Sequence, residues 1–290
     1  MPSLRDIRRR IASVKNTQQI TNAMKMVSAA KLQRAQERVL AARPYAERMQ
    51  QVIERLNARV RPTAHPLLTP RTEGKTLLVL VTSDRGLCGG FNANVQRAAI
   101  EQLHALGGIE HVDLIAIGKK GRDFLTYRHY PLRQALVERF VRQVLYPQAQ
   151  EVAHELLAAY EQEGYRQVRV VYNSFRSALR QQVSVLRLLP LSPHTSPDVE
   201  PPEPFDYLYE PSAPAVLDAL LRKEVEVRVF QVLLESFAGE HAARMTAMDS
   251  ATENAAEMIA NLTLLLNRTR QAAITKEIIE VVSGAEALKG

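Results

Sequence analysis

The stretch from Val216 to Gln271 reads VLDALLRKEVEVRVFQVLLESFAGEHAARMTAMDSATENAAEMIANLTLLLNRTRQ, with a single glycine and no proline. Inside a helix Gly and Pro cost about 1 and 3 kcal/mol relative to Ala, so their scarcity permits a helix of this length. Periodicity then asks for one. Val216, Leu220, Val227, Leu234, Ala238, His241, Met245, Met248, Ala255, Ile259, Leu262 and Leu266 keep three- or four-residue spacing with slips. The pattern predicts a helix from about Ala215 to Val282, roughly 100 Å long at 1.5 Å per residue. A chain of 290 residues cannot hide so long a stripe in a compact globule, and the stripe needs another helix to cover it.

That helix is at the other end of the chain. No glycine precedes Gly74. Leu4, Ile7, Ile11 and Val14 follow the same steps, and so do Leu32, Ala35, Val39, Ala42, Ala46, Met49, Ile53, Leu56 and Val60. Between the two runs the inward positions fall on Gln18, Thr21 and Lys25, while the apolar side chains stand at Ile20, Met24 and Val27. This predicts a phase shift in the supercoil there. Pro44 predicts a kink or local adjustment. The two ends are expected to pack as an antiparallel coiled coil with small Ala contacts. The alternative is a bundle of shorter helices, which needs Gly or Asn stops that are scarce in both segments.

The middle of the chain changes period. Thr76–Thr82, Val112–Ile117, Gln167–Tyr172 and Gln182–Leu188 are apolar or β-branched runs of strand length, with helical stretches near 92–106 and 147–163. Strands alternating with helices predict a largely parallel sheet covered by helices. Eight of the fifteen prolines then crowd between Pro190 and Pro214. The expected organisation is an N-terminal shaft helix over 1–60, an inserted α/β domain over 74–190, a Pro-rich connector over 191–214 and a C-terminal shaft helix over 215–285. The fold class is α/β: a long antiparallel coiled coil of the terminal helices, with an inserted Rossmann-like α/β domain.

Composition narrows the function. An apolar fraction of 46% argues against wholesale disorder, and one cysteine excludes a disulfide framework or a cysteine-rich zinc site. No apolar run approaches the roughly 20 residues of a membrane-spanning helix. The N-terminus lacks the apolar stretch of a secretory signal, so a soluble, unprocessed chain is expected. The seven histidines form no H-x-x-x-H or H-E-x-x-H pair, and no G-x-S-x-G elbow occurs. Neither metal nor cofactor is expected.

Two glycine-bearing loops follow strands. Ser83-Asp84-Arg85-Gly86-Leu87-Cys88-Gly89-Gly90-Phe91-Asn92 and Gly118-Lys119-Lys120-Gly121-Arg122 sit where phosphate loops sit, yet neither has the spacing of a P-loop or of G-x-G-x-x-G. Structural turns are the better reading of both. Charge is more telling: residues 1–60 carry thirteen Lys and Arg against four Asp and Glu, a net of +9 where the whole chain has +7. A basic helix can meet nucleic acid, an anionic membrane or an acidic protein surface. The lack of Trp and the sparse aromatics in that segment weaken base stacking.

Four separated blocks make the chain resemble the gamma subunit of F-type ATP synthases. They are Ile7–Lys31 (IRRRIASVKNTQQITNAMKMVSAAK), Ser83–Asn92, Tyr207–Pro211 (YLYEP), and Ala242–Met248 (AARMTAM) continuing to Asn267–Glu277 (NRTRQAAITKE). Their order and spacing cover essentially the whole chain. The resemblance implies a non-catalytic central rotor shaft that couples proton-driven ring rotation to ATP synthesis or hydrolysis in an alpha-beta hexamer. It implies as partners the alpha and beta subunits, the epsilon subunit and the c-subunit ring, with no nucleic acid. The place implied is peripheral, on the cytoplasmic side of a bacterial inner membrane. Carried over by position, Met24, Lys25, Cys88, Arg244, Gln271, Thr275 and Glu277 are implied hexamer or coupling contacts, and Tyr207, Tyr209 and Glu210 ring contacts. On this reading alanine at Arg244 or Gln271 slows ATP synthesis and leaves the melting temperature of the isolated chain nearly unchanged. The competing classes are a nucleotide-dependent α/β enzyme with helical arms and a basic coiled coil that binds nucleic acid.

Overall fold

A computed structural model describes residues 3–57, 65–177, 181–191, 210 and 212–287. Two long helices bound the chain, α1 over Leu4–Asn57 and α5 over Ala213–Ala287. The assignment of α1 runs through Pro44 without a break. Between them lie β1 (Thr76–Val81), α2 (Phe91–Ala105), β2 (Val112–Ile117), α3 (Lys119–Tyr127), β3 (Leu132–Leu136), α4 (Tyr146–Gln162), β4 (Gln167–Phe175) and β5 (Gln181–Leu189). The chain divides into two compact units, one of Met1–Ser28 with Arg244–Gly290 and one of Ala29–Ala243.

The larger unit contains a five-stranded sheet of order β3-β2-β1-β4-β5. β1 to β4 are parallel and β5 runs antiparallel to β4. β1, in the centre, is buried at every position, as an apolar run covered on both faces must be. On one face Leu78, Leu80, Leu114, Ala116 and Val171 meet Val95, Ala99 and Leu103 of α2 and Leu125 of α3. On the other, Leu77, Val79, Ile115 and Val170 join α4 and the inner stripes of α1 and α5, including Ile53, Leu221, Val225 and Leu233. The sheet was legible in the sequence apart from β3 and α3.

α4 and α5 also share a buried charge. Glu226 is only 5% exposed. It accepts hydrogen bonds from the Tyr146 hydroxyl, Gln150 Nε2 (3.2 Å) and Lys223 Nζ (2.9 Å), and pairs with His154 Nε2 at 3.0 Å. Burial pushes this carboxyl upward, but the bonds from Tyr146, Lys223, His154 and Gln150 outweigh it and hold the pKa at about 2.

In the smaller unit the inward face of α1 continues without a phase shift, which corrects the sequence expectation. Leu4, Ile7, Ile11, Val14, Gln18, Thr21, Lys25 and Ser28 all turn inward at steps of three and four, whereas Ile20 and Val27 are exposed and Met24 is half-buried beside Lys25. The polar positions are satisfied across the seam: Thr21 Oγ1 lies 2.8 Å from Thr252 Oγ1, and Lys25 Nζ pairs with Asp249 Oδ1. Thr21 also donates to the Gln18 carbonyl, and Ser28 to that of Met24. Such bonds remove the penalty that would have driven these side chains outward.

Candidate functional site

The loop after β1 closes on itself. Asn92 Oδ1 accepts from the Ser83 amide at 3.0 Å, and Asn92 Nδ2 donates to Ser83 Oγ (2.8 Å) and to Cys88 Sγ (3.2 Å). Ser83 Oγ donates to the Arg85 carbonyl at 2.6 Å, and the Phe91 amide to the Cys88 carbonyl at 3.1 Å. Asp84 ties this loop to the two beside it: its Oδ1 accepts from the amides of Lys119 (2.8 Å) and Glu138 (3.0 Å), which follow β2 and β3. The Gly118–Gly121 turn is equally tight, with Gly121 N donating to Thr82 Oγ1 at 2.8 Å. At the start of α3 the amides of Gly118, Lys119, Lys120 and Gly121 are all taken up within the chain, by the Leu136 carbonyl, Asp84, the Ser83 carbonyl and Thr82 Oγ1.

In an open parallel sheet, ligands bind beyond the carboxyl ends of the strands, where the strand order reverses. Here that point lies between β1 and β4. α5 crosses it. A Cβ placed on Gly239 would stand 3.5 Å from Phe91 Cε2 and 3.6 Å from Asn173 Cβ. Asn173 Nδ2 donates to the Phe91 carbonyl at 3.2 Å, and Ser174 Oγ donates to Glu235 Oε2 at 2.8 Å. The crevice is thus packed with the chain's own helix.

At the opposite end of the strands lies an open groove lined by Asp113, Arg133, Glu163 and Tyr165, among others. Its charges are matched internally. Arg133 donates to Glu163 and to the Tyr165 hydroxyl, which itself donates to Asp113 at 2.7 Å, and Lys75 pairs with Asp113 at 3.1 Å. Burial first, then the bond to Asp113, pushes the Tyr165 phenol up to about 12. A phenol so held is a structural tie and a poor acid at neutral pH. Among the described residues no group of three or more His, Cys, Asp or Glu could hold a metal ion. No described helix is long and apolar enough to cross a membrane.

The residues singled out in the sequence fall into three environments. Met24 and Lys25 lie half-buried on α1, and the Lys25 charge is already engaged by Asp249. Cys88 is buried at 2% exposure inside its loop, and Arg244 is 6% exposed on α5. Gln271, Thr275 and Glu277 are exposed, in a part of α5 that also exposes Ile274, Ile278, Ile279, Val281 and Val282. Glu210 is exposed, while Tyr207 and Tyr209 lie outside the described residues. The sequence reading missed Asp84, Asp249 and Thr252. A three-four count along α5, stepping on by four from Met245 and Met248, reaches the last two.

Arg244 changes one expectation. A guanidinium this buried has been placed by its own chain, so Arg244→Ala should lower the melting temperature of the isolated chain. Leaving its partners unsatisfied costs about 2 kcal/mol or more, equivalent to roughly 4–8 °C. Gln271→Ala, on an exposed face, should stay within about 0.5 kcal/mol of the parent. Thermal unfolding of the two variants side by side checks both.

A family model described as ATP synthase matches residues 3–288. The ATP synthase gamma chain of Geobacter sp. (strain M21) is 50% identical over 291 residues, covering 100% of both chains. That of Geotalea daltonii is 51% identical over 293 residues, again with 100% of both covered. This chain belongs to the ATP synthase gamma-chain family. Among solved structures, it resembles a chain of the central stalk and c-ring of Tetrahymena thermophila mitochondrial ATP synthase, with TM-score 0.60 and 27% identity over 80% of this chain and 99% of that one. A Euglena gracilis mitochondrial ATP synthase chain, at TM-score 0.68 and 19% identity over 98% and 94%, shares the fold. The long terminal helices and five-stranded sheet are those of the gamma fold. As a gamma subunit, the chain is a component of ATP synthase and belongs to its central-stalk rotor.

Proposed function

We propose that this gamma subunit performs no chemistry itself and works as a mechanical coupler between ring rotation and the catalytic hexamer. The observation that carries the reading is α5 lying across the switch point of the sheet, where Gly239 packs on Phe91 and Asn173 and leaves a nucleotide no room. On this reading the partners are the alpha and beta subunits, the epsilon subunit and the c ring. The chain is held peripherally at the cytoplasmic side of a bacterial membrane through that ring. The exposed run of Ile274, Ile278, Ile279, Val281 and Val282 supports a protein partner around Gln271, Thr275 and Glu277, since contiguous exposed apolar surface of this kind marks interfaces. Met24 and Lys25 would act at the hexamer from the seam of the helix pair, and Cys88 and Arg244 from buried positions that set the shape of their surroundings. Tyr207, Tyr209 and Glu210 would meet the ring. A rotor does work only through contacts that differ between its angular states.

Titration calorimetry of the isolated chain with Mg-ATP tests the proposal. The expected result is no binding at millimolar nucleotide and no phosphate release, with hydrolysis present once alpha and beta subunits are added. Saturable ATP binding by the isolated chain, abolished by Gly239→Phe, would overturn it in favour of a nucleotide-dependent enzyme.

A further inference from the structure

On the face of the sheet that carries α2, positive charge gathers near the start of β4 and the end of β5. Arg169 of β4 stands directly opposite Arg187 of the antiparallel β5, and the next pair on that face is Val171 with Val185. Like charges set opposite one another weaken a strand pair. A third cation, Arg166, lies just before β4. Burial first, then the charges of Arg187 and Arg166, pull the Arg169 guanidinium below its ordinary value. Other guanidinia of the larger unit meet carboxylates: Arg133 pairs with Glu163, Arg139 with Glu155, Arg222 with Glu161 and Arg228 with Glu224. Among the described residues no carboxylate pairs with Arg166 or Arg169. Arg169 is held instead by two neutral oxygens, donating from Nε to Gln167 Oε1 and from Nη1 to Gln102 Oε1, each at 3.0 Å. Gln167 is itself buried, and its Nε2 donates to Thr76 Oγ1 at 3.0 Å. The guanidinium is thereby aimed without losing its charge, and its Nη2 bonds to no described residue. On the β5 side the face is open, with Val185 40% exposed and Arg187 exposed.

A positioned fork of donors beside two further guanidinia matches an anion with several oxygens and more than one negative charge. A carboxylate, planar and singly charged, offers too little to three cations. We propose that Arg166, Arg169 and Arg187 form a binding site for a phosphate dianion, either the free ion or the head group of an anionic lipid. Bound there, the dianion accepts from Arg169 Nη2 and from the guanidinia beside it. It also cancels the repulsion across the β4–β5 pair, so the edge of the sheet tightens when the site fills.

Calorimetric titration of the full chain with inorganic phosphate, in chloride buffer, tests the site. Saturable binding is expected with a Kd of about 1–5 mM, and phosphate at about ten times that value should raise the melting temperature by roughly 3–5 °C. Arg166→Gln and Arg187→Gln should each weaken binding about tenfold, as for loss of one charge-assisted contact. Arg187→Lys keeps the charge without the fork and should weaken it about three-fold. Without phosphate, Arg166→Gln should melt no lower than the parent, because a like charge has gone. Vesicles of phosphatidylcholine, with and without phosphatidic acid, separate the two sources. Sedimentation with phosphatidic acid vesicles that is lost when both Arg166→Gln and Arg187→Gln are present assigns the head group; phosphate binding without such sedimentation assigns the free ion. Succinate bound as tightly as phosphate would overturn the proposal in favour of an acidic protein surface. A phosphate affinity unchanged in both single variants would place the ion elsewhere on the chain and overturn it too. Absence of saturable binding below about 50 mM phosphate, together with no response to phosphatidic acid, removes the site altogether.

Discussion

Gly118→Ala should strip the larger unit of about 3–5 kcal/mol of stability. Gly118 joins β2 to α3 at φ +95° and ψ 143°, a region in essence reserved for glycine. A Cβ there would stand 2.2 Å from the Thr82 carbonyl oxygen and 2.7 Å from its carbon. Neither atom belongs to a side chain that could swing aside. Thr82 is fixed in turn by its amide to the Ile117 carbonyl (2.8 Å) and by its hydroxyl, which accepts from Gly121 N. Relief therefore requires the ends of β1 and β2 to separate. Backbone strain plus overpacking at one point costs about 3–5 kcal/mol, a large share of the 5–15 kcal/mol that holds a typical domain. A urea titration followed by circular dichroism should show a much lower midpoint at unchanged slope. A midpoint within about 0.3 M of the parent would mean that the strands accommodate the methyl group.

Glu226→Gln should remove a pH dependence that the parent shows in acid. The carboxyl sits at about 2 when folded, against 4.5 for the ordinary group. A depressed value means that the folded chain holds the charged form better. The stabilisation is fully present above about 4.5, and is lost as pH falls from there through about 2. At neutral pH it amounts to at most about 3 kcal/mol for this well-buried group, on the scale of 1.36 kcal/mol for each pH unit. Tyr146, Gln150 and His154 on α4 and Lys223 on α5 face it, so the amide leaves the Lys223 ammonium without an anion. Asp218, Glu163 and Asp6 are lowered as well and also weaken the fold in acid. The difference between parent and variant isolates Glu226. Urea unfolding at pH 7 and at pH 3 should show a gap between the two proteins at pH 7 that narrows markedly at pH 3. An equal gap at both values would show that Glu226 contributes through packing and not through its charge.

How much of this was legible in the sequence depended on whether side-chain chemistry announced burial. β1, β2 and β4 were visible because strands covered by helices are runs of Leu, Ile and Val, and β5 because Val183, Val185, Leu186 and Leu188 recur among its polar residues. β3 (LRQAL) lies at the edge of the sheet, where one side needs no apolar cover, and its Arg and Gln hid it. α3 begins on Lys-Lys-Gly and shows too few turns for a period to emerge. The polar stretch of α1 misled for a related reason. Thr21, Lys25 and Ser28 look outward-facing by type, and only the bonds from Thr252 and Asp249 and to the Met24 carbonyl make them inward-facing. Strand order, and the helix lying across the switch point, needed coordinates.

The polar seam has a consequence for torque. Where two helices touch only through apolar layers, a slide by one seven-residue repeat exchanges like for like and costs little. If α5 slid by seven residues in one direction, Thr21 would face Ile259 and Lys25 would face Ala256; in the other, they would face Met245 and Ala242. None of these offers a hydroxyl or a carboxylate, so either slide costs Thr21 its bond across the seam and the half-buried Lys25 its carboxylate at once. Thr21–Thr252 and Lys25–Asp249 therefore act as a key in a keyway. Twisting force entering through one helix passes to the other without backlash, at the price of a less oily seam.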